Sequence, residues 1–353
     1  MVTRVLLSTQ VGQDFLRTPA SQNVWLAGMA EGLAELGFSV SIPIEVSSSG
    51  DNGNHLYEST ARRFLELYGV GGANLEFFDS RELATSRLPK RFDVLWTRDP
   101  ALLAKKVDHT QTRIAEYHGG AREASIPELA ASQSVPLITV TESWLAQYGA
   151  SALAEPGALK VFFKSQTSPM RSGSQEANGL YVGGLDPDRI DGVGIRALSQ
   201  ILRSGSRIDV VGGNLNIEVA MVRFRLARWQ ARMRFFGYLP PTISAQLMHS
   251  AGFAVALKAE NSAPSAPIKL IAFAAAGLPI VGSRAFLRRN FSGVEARQLQ
   301  MSLFAEGANP RAHYAVEAAL DIGAEAVAHN YQIALDNTFR RRIEKTGLLR
   351  LIS

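Results

Sequence analysis

In open α/β sheets ligands bind beyond the carboxyl ends of the strands, so polar residues that directly follow apolar, β-rich runs are the first candidates for chemistry. His118 follows the run Arg113-Ile114-Ala115-Glu116-Tyr117 and precedes Gly119 and Gly120. An imidazole between a strand end and two glycines can approach a ligand closely, or can simply cap the strand. Glu116 and Asp99, the latter in Trp96-Thr97-Arg98-Asp99-Pro100, are candidate acids or bases for activating a hydroxyl. Arg98 and Asp99 can equally form an ion pair. In the loop after the first apolar run, Gly12 admits a close approach of backbone to ligand and Arg17 offers a cation, unless this is a plain surface loop.

A second segment has the make-up of an anion seat. The run 253–257 leads into a polar loop containing Glu260 and Ser265, then a helix of small residues that Gly277 ends. Ser265 can cap that helix, Pro267 suits its first turn, and Lys269 lies one turn in. Unpaired amides at the helix start together with Lys269 would receive a diphosphate. The alternative is a buried helix whose lysine reaches solvent. Asp186-Pro187-Asp188 has the form of a metal-binding Asp-x-Asp, but a turn built on Pro187 accounts for it, and no metal site is expected. No Gly-x-Gly-x-x-Gly follows the first strand and there is no P-loop, which argues against a nicotinamide dehydrogenase and an NTPase.

The elements that must position these residues come in two sets. Strands are expected at 5–8, 38–42, 92–96, 113–117 and 137–140, with helices from Trp25 to Leu36, around 62–67 and at 143–150; the run 160–163 closes this half. After a Ser/Gly/Gln-rich linker at 165–178 the rhythm restarts. Strands are expected at 180–182, 208–211, 233–236, 253–257 and 278–281, with helices near 195–202, 243–248 and up to Gly277, then one helical stretch at 315–342. The domains implied are 1–165 and 166–325, with a C-terminal helix at 326–353 able to pack back on the first.

Size agrees: 353 residues, 46% hydrophobic, exceed one compact core. A net charge of +5 favours anionic partners, and no nucleic-acid module is visible. The absence of cysteine rules out disulfides and sulfur-ligated zinc and fits a reducing compartment. No apolar run reaches the ~18 residues of a membrane helix. The expectation is a cytoplasmic protein, at most peripheral on an anionic inner membrane face. For that contact the arginines from Arg223 to Arg234, interleaved with Phe224, Leu226, Trp229 and Met233, are candidates. An amphipathic helix with a solvated face is the blander reading of the same stretch.

The stretch 269–281, KLIAFAAAGLPIV, resembles the Lys-Leu-x-Glu-Tyr-x-Ala-x-Gly-x-Pro-Val-Val pattern of GT-B glycosyltransferases, especially family four. Leu180-Tyr181-Val182-Gly183-Gly184-Leu185, Val210-Val211-Gly212-Gly213 and Phe236-Gly237-Tyr238-Leu239 resemble its second-domain motifs in order, and 96–100 and 116–119 its first-domain strand ends. The resemblance implies two Rossmann-like domains with parallel sheets facing a cleft. It implies sugar transfer from a nucleotide-sugar, as substrate rather than cofactor, to a glycan, lipid-linked or small-molecule acceptor, as in polysaccharide biosynthesis. By the same resemblance His118 approaches the donor sugar, while Lys269 and Arg189 neutralise the diphosphate without a metal. The pattern departs in the donor site. Its two glutamates fall on Pro264 and Ala272, and its arginine on Gly184, so Glu260 is the remaining candidate for the ribose. These departures also fit a GT-B-shaped partner or scaffold without transfer activity; a sugar-nucleotide epimerase is a third reading.

Overall fold

The computed structural model describes residues 2–9, 21–44, 53–71, 74–84, 89–108, 110–119, 123–164, 178–184, 190, 192–212, 226–257, 268–283, 298–304, 310–321 and 324–352. The chain divides into two units, Met1–Lys160 together with Asn337–Ser353, and Val161–Asp336.

The first unit is built on a parallel sheet of β1 (Arg4–Ser8), β2 (Ser39–Ile44), β3 (Leu75–Asp79), β4 (Val94–Thr97), β5 (Thr112–Tyr117), β6 (Leu137–Thr139) and β7 (Ala152–Leu153), in the order β3-β2-β1-β4-β5-β6-β7. Val5, Leu6 and Leu7 are fully buried, as expected of a central parallel strand covered on both faces. The helices are α1 (Ser21–Glu35), α2 (Gly53–Tyr68), α3 (Pro100–Leu103), α4 (Ile126–Ser132) and α5 (Glu142–Tyr148). The chain winds from β1 out to β3, then returns to the other side of β1 at β4. The switch point of this sheet therefore lies beyond Ser8 and Thr97.

The second unit repeats the plan with β8 (Asn178–Val182), β9 (Arg207–Val211), β10 (Met233–Gly237), β11 (Phe253–Ala256), β12 (Ile280–Ser283) and β13 (Ser302–Phe304), all parallel, in the order β10-β9-β8-β11-β12-β13. Its helices are α6 (Gly192–Arg203), α7 (Pro241–Ser250), α8 (Ile268–Ala275), α9 (Ala312–Leu320) and α10 (Ala324–Asp336). Here the switch point lies between β8 and β11.

The sequence expectations need two corrections. The helical stretch at 315–342 is three helices, the last being α11 (Phe339–Lys345), which belongs to the first unit. Thr338 starts α11 afresh, its side chain accepting from Arg341 N at 3.3 Å. The described part of the arginine-rich stretch is not an amphipathic α-helix. Residues Ala227–Arg232 form a 3-10 turn and Arg234 lies on β10, where its Nε donates to Asp209 at 2.7 Å. Among the described residues no helix is long and apolar enough to cross a membrane.

The α11 helix docks on α1 through a glycine face. A Cβ on Gly28 would stand 2.1 Å from the Phe339 ring, and one on Gly32 would stand 2.7 Å from Arg340 N. Gly28→Ala tests this packing. Alanine gains up to ~1 kcal/mol in helix propensity, but overpacking a filled site costs about 1–3 kcal/mol. The buried Phe339 ring makes the clash the larger effect. A net loss of about 1–2 kcal/mol in denaturant unfolding is expected, and a net gain would show that α11 packs loosely.

Candidate functional site

The carboxyl edge of the first sheet carries a buried polar cluster. Glu116, the penultimate residue of β5, is 0% exposed. It accepts from Trp25 Nε1 at 2.8 Å, Trp96 Nε1 at 3.2 Å, His118 Nε2 and Arg342 Nη2. Burial alone would raise its pKa, but the Arg342 charge and the hydrogen bond from His118 hold it well below the usual carboxylate range. An ionised carboxylate only accepts, so His118 donates from Nε2 and Nδ1 is its lone-pair nitrogen. Burial, then the nearby Arg98 charge, push the His118 pKa down to about 4, so the ring is neutral at pH 7. Its side chain keeps 14% exposure, and its backbone N–H donates to Glu123 at 2.8 Å.

Asp99 caps α3, accepting from Ala101 N at 2.9 Å. Arg98 is buried against Glu123, its Nε donating at 3.1 Å, and its guanidinium lies 5.2 Å from the Trp25 ring centroid. Arg98 N donates to Ser8 O at 3.0 Å, which places it across the switch point from Thr9. Thr9 Oγ1 and Arg98 Nη1 are buried without a hydrogen-bond partner among the described residues, an arrangement that normally has a ligand or water to account for it. Gly119, with φ +82°, lets the turn after His118 close on Trp144, whose ring would meet an added Cβ at 2.1 Å. Its close approach is thus to a protein side chain.

In the second unit Lys269, on α8, extends to the switch point of its sheet. Its Nζ donates to Leu257 O, just past β11, at 3.4 Å and lies 5.2 Å from the centroid of the Tyr181 ring on β8. The Tyr181 hydroxyl in turn donates to Gly184 O at 2.8 Å. The α8 helix behind Lys269 is buried from Leu270 to Ala275. Ala272, where the resembling enzymes carry the ribose-binding glutamate, is 2% exposed and contributes only apolar wall. Gly12, Arg189, Glu260, Pro264 and Ser265 lie outside the described residues, as do Gly120 and residues 186–188.

The structure thus brings Glu116 and His118 together, sets Asp99 to a capping role nearby, and places Lys269 and Gly184 in the other unit. Arg342, Glu123, Trp25 and Trp96 belong to the cluster and were not singled out by sequence. Only the first carried a signal. Phe339, Arg342 and Ile343 share one helical face and all are buried.

No protein-family model matches the chain, and no curated protein matches it. Solved structures do. A glycosyltransferase from Rickettsia africae ESF-5 is similar at 13% identity and a TM-score of 0.65, over 100% of this chain and 99% of that one. HepE from Anabaena, in complex with UDP-glucose, is similar at 14% identity and a TM-score of 0.64, over 98% and 99%. WaaG, a glycosyltransferase involved in lipopolysaccharide biosynthesis, is similar at 15% identity and a TM-score of 0.56, over 99% of both chains. At these identities the likeness is one of fold.

Proposed function

We propose that this chain, which has the GT-B fold of its structural neighbours, is a glycosyltransferase that moves a sugar from a nucleotide-sugar donor to a hydroxyl of a glycan, lipid-linked or small-molecule acceptor. The observation that carries the reading is Lys269 at the β8/β11 switch point, beside the Tyr181 ring. That is where open α/β sheets bind nucleotides. As the bond from the anomeric carbon to the leaving phosphate breaks, negative charge grows on the diphosphate. A fixed ammonium stabilises it most when that charge is greatest, and no metal is required for this. Arg189, Ser265 and the amides at the start of α8 complete the seat in this reading, and Glu260 takes the ribose.

The first unit supplies His118 to the transferred sugar and takes the acceptor at its own switch point. The unpartnered Thr9 Oγ1 and Arg98 Nη1 support that assignment, since each is a buried polar atom available to a ligand. Glu116 is saturated by four donors and serves to hold His118 rather than to move protons. Asp99 keeps the α3 turn in place.

A second reading, a GT-B-shaped partner without transfer activity, is favoured by one observation: Ala272 presents no acceptor for a ribose hydroxyl. Calorimetric titration with UDP, GDP and ADP separates the two. The transferase reading expects saturable binding of at least one nucleotide, followed by release of that nucleoside diphosphate from its sugar-nucleotide with acceptor present. Absence of heat with all three supports the partner reading.

A further inference from the structure

The last α-helix among the described residues, α11, reaches the centre of the first unit. Arg342 on α11 is 2% exposed. Its Nε donates to Glu155 O at 2.9 Å, its Nη1 lies 3.0 Å from Met29 Sδ, and its Nη2 pairs with Glu116. The same Glu116 oxygen, Oε1, receives Trp25 Nε1 and His118 Nε2. The neighbours Arg340 and Arg341 instead turn outward to Glu344. One arginine of three has therefore been taken out of water, at a cost that packing alone does not require.

The charges around His118 are Glu116, Arg342 behind it, Arg98 and Glu123. Arg98 and Glu123 compensate each other, and Arg342 compensates Glu116. With both carboxylates paired to arginines, the imidazole has no charge to balance. Without Arg342, Glu116 would face His118 as its nearest cation-forming partner, and a proton would settle on the pair.

We propose that Arg342 is a positioning residue for His118: by neutralising Glu116 from the C-terminal helix, it keeps the imidazole uncharged, with Nε2–H fixed on the carboxylate and Nδ1 as the nitrogen offered to ligand. This rests on the reading that His118 meets the sugar, but its test does not depend on activity. The full chain, labelled with ¹⁵N-histidine, is examined by long-range proton–nitrogen correlation across pH. In the native protein His118 is expected as the neutral Nε2–H tautomer, charging only near pH 4. In Arg342→Met its proton affinity is expected to rise at least tenfold. Arg342→Lys, which keeps the charge, should stay close to the native titration, and the Arg342→Met/Glu116→Gln double variant should return to it.

An Nδ1–H tautomer in the native protein overturns the proposal, as does an unchanged titration in Arg342→Met. Should Arg342→Met not fold, the native tautomer and the double variant decide: a double variant with a raised His118 titration overturns it. Because these signals come from the free protein, a chain that passes them yet binds no nucleotide refutes the transferase reading and leaves the role of Arg342 standing.

Discussion

Glu116→Ala is expected to lower the unfolding free energy by roughly 3–5 kcal/mol, the range for breaking a buried ion pair by removing one partner. The truncation strands Arg342, which is 2% exposed and whose other polar contacts are a carbonyl and a thioether. It also strands two indole N–H groups at 0–1% exposure. Glu116→Gln keeps an acceptor for the indoles and should lose less. Urea unfolding of the three proteins checks the order. A Glu116→Ala midpoint equal to the native one would mean that the cluster admits water.

The same cluster sets the acid limit. The folded-state pKa of Glu116 lies below its unfolded value of 4.5, so its stabilisation is present above pH 4.5 and is lost as pH falls below it. His118 is also depressed, from 6.5 to about 4, so its contribution is complete above pH 6.5 and is lost as pH falls through 4. Glu31 works the other way. Burial, the largest cause, raises it from 4.5 to about 7, so its contribution is present below pH 4.5 and fades as pH rises through 7. Between pH 4.5 and 6.5 His118 and Glu31 oppose each other, giving a shallow stability profile, with a steep fall below pH 4.5, where Glu116 of the unfolded chain takes up a proton that the folded carboxylate resists. Glu116→Ala should lose much of that steep fall.

Lys269→Ala is expected to weaken nucleoside diphosphate binding about ten- to a hundredfold. A hydrogen bond to a charged group contributes about 1.5–3 kcal/mol, and each 1.4 kcal/mol is a factor of about ten. The loss should be confined to the diphosphate, leaving the affinity of the bare nucleoside unchanged. Lys269→Met, which keeps the stem against the Tyr181 ring, should reproduce the loss, and Lys269→Arg should restore part of it. Equal losses for nucleotide and nucleoside would assign Lys269 to packing.

The central strands were legible in sequence because a parallel strand covered on both faces is a continuous apolar run. Val5-Leu6-Leu7 and Phe253-Ala254-Val255-Ala256 are such runs, and all seven residues are fully buried. The edge strands β3 and β13 escaped because they are short and half-buried, so Leu75–Asp79 and Ser302–Phe304 show neither a buried run nor clean alternation. The second break in the C-terminal helical stretch was missed because Asn337 is 1% exposed and Thr338 is a cap, roles that ordinary polar residues conceal.

In the candidate site, His118 and Glu116 followed from the strand-end rule, and Lys269 from the anion-seat pattern at a helix start. Arg342 did not: its helical spacing from Phe339 and Ile343 marks an inward face, but nothing in the sequence links it to Glu116 across 226 positions of chain. The Arg98–Glu123 pair spans 25 positions, so in the sequence the adjacent Asp99 was the more visible carboxylate.

The most direct test is a crystal structure of the chain with whichever of UDP, GDP or ADP it binds. The diphosphate is expected beyond the carboxyl ends of β8 and β11, within hydrogen-bonding reach of Lys269 Nζ. A nucleotide bound anywhere else, with the ammonium still on the Leu257 carbonyl, would contradict the account.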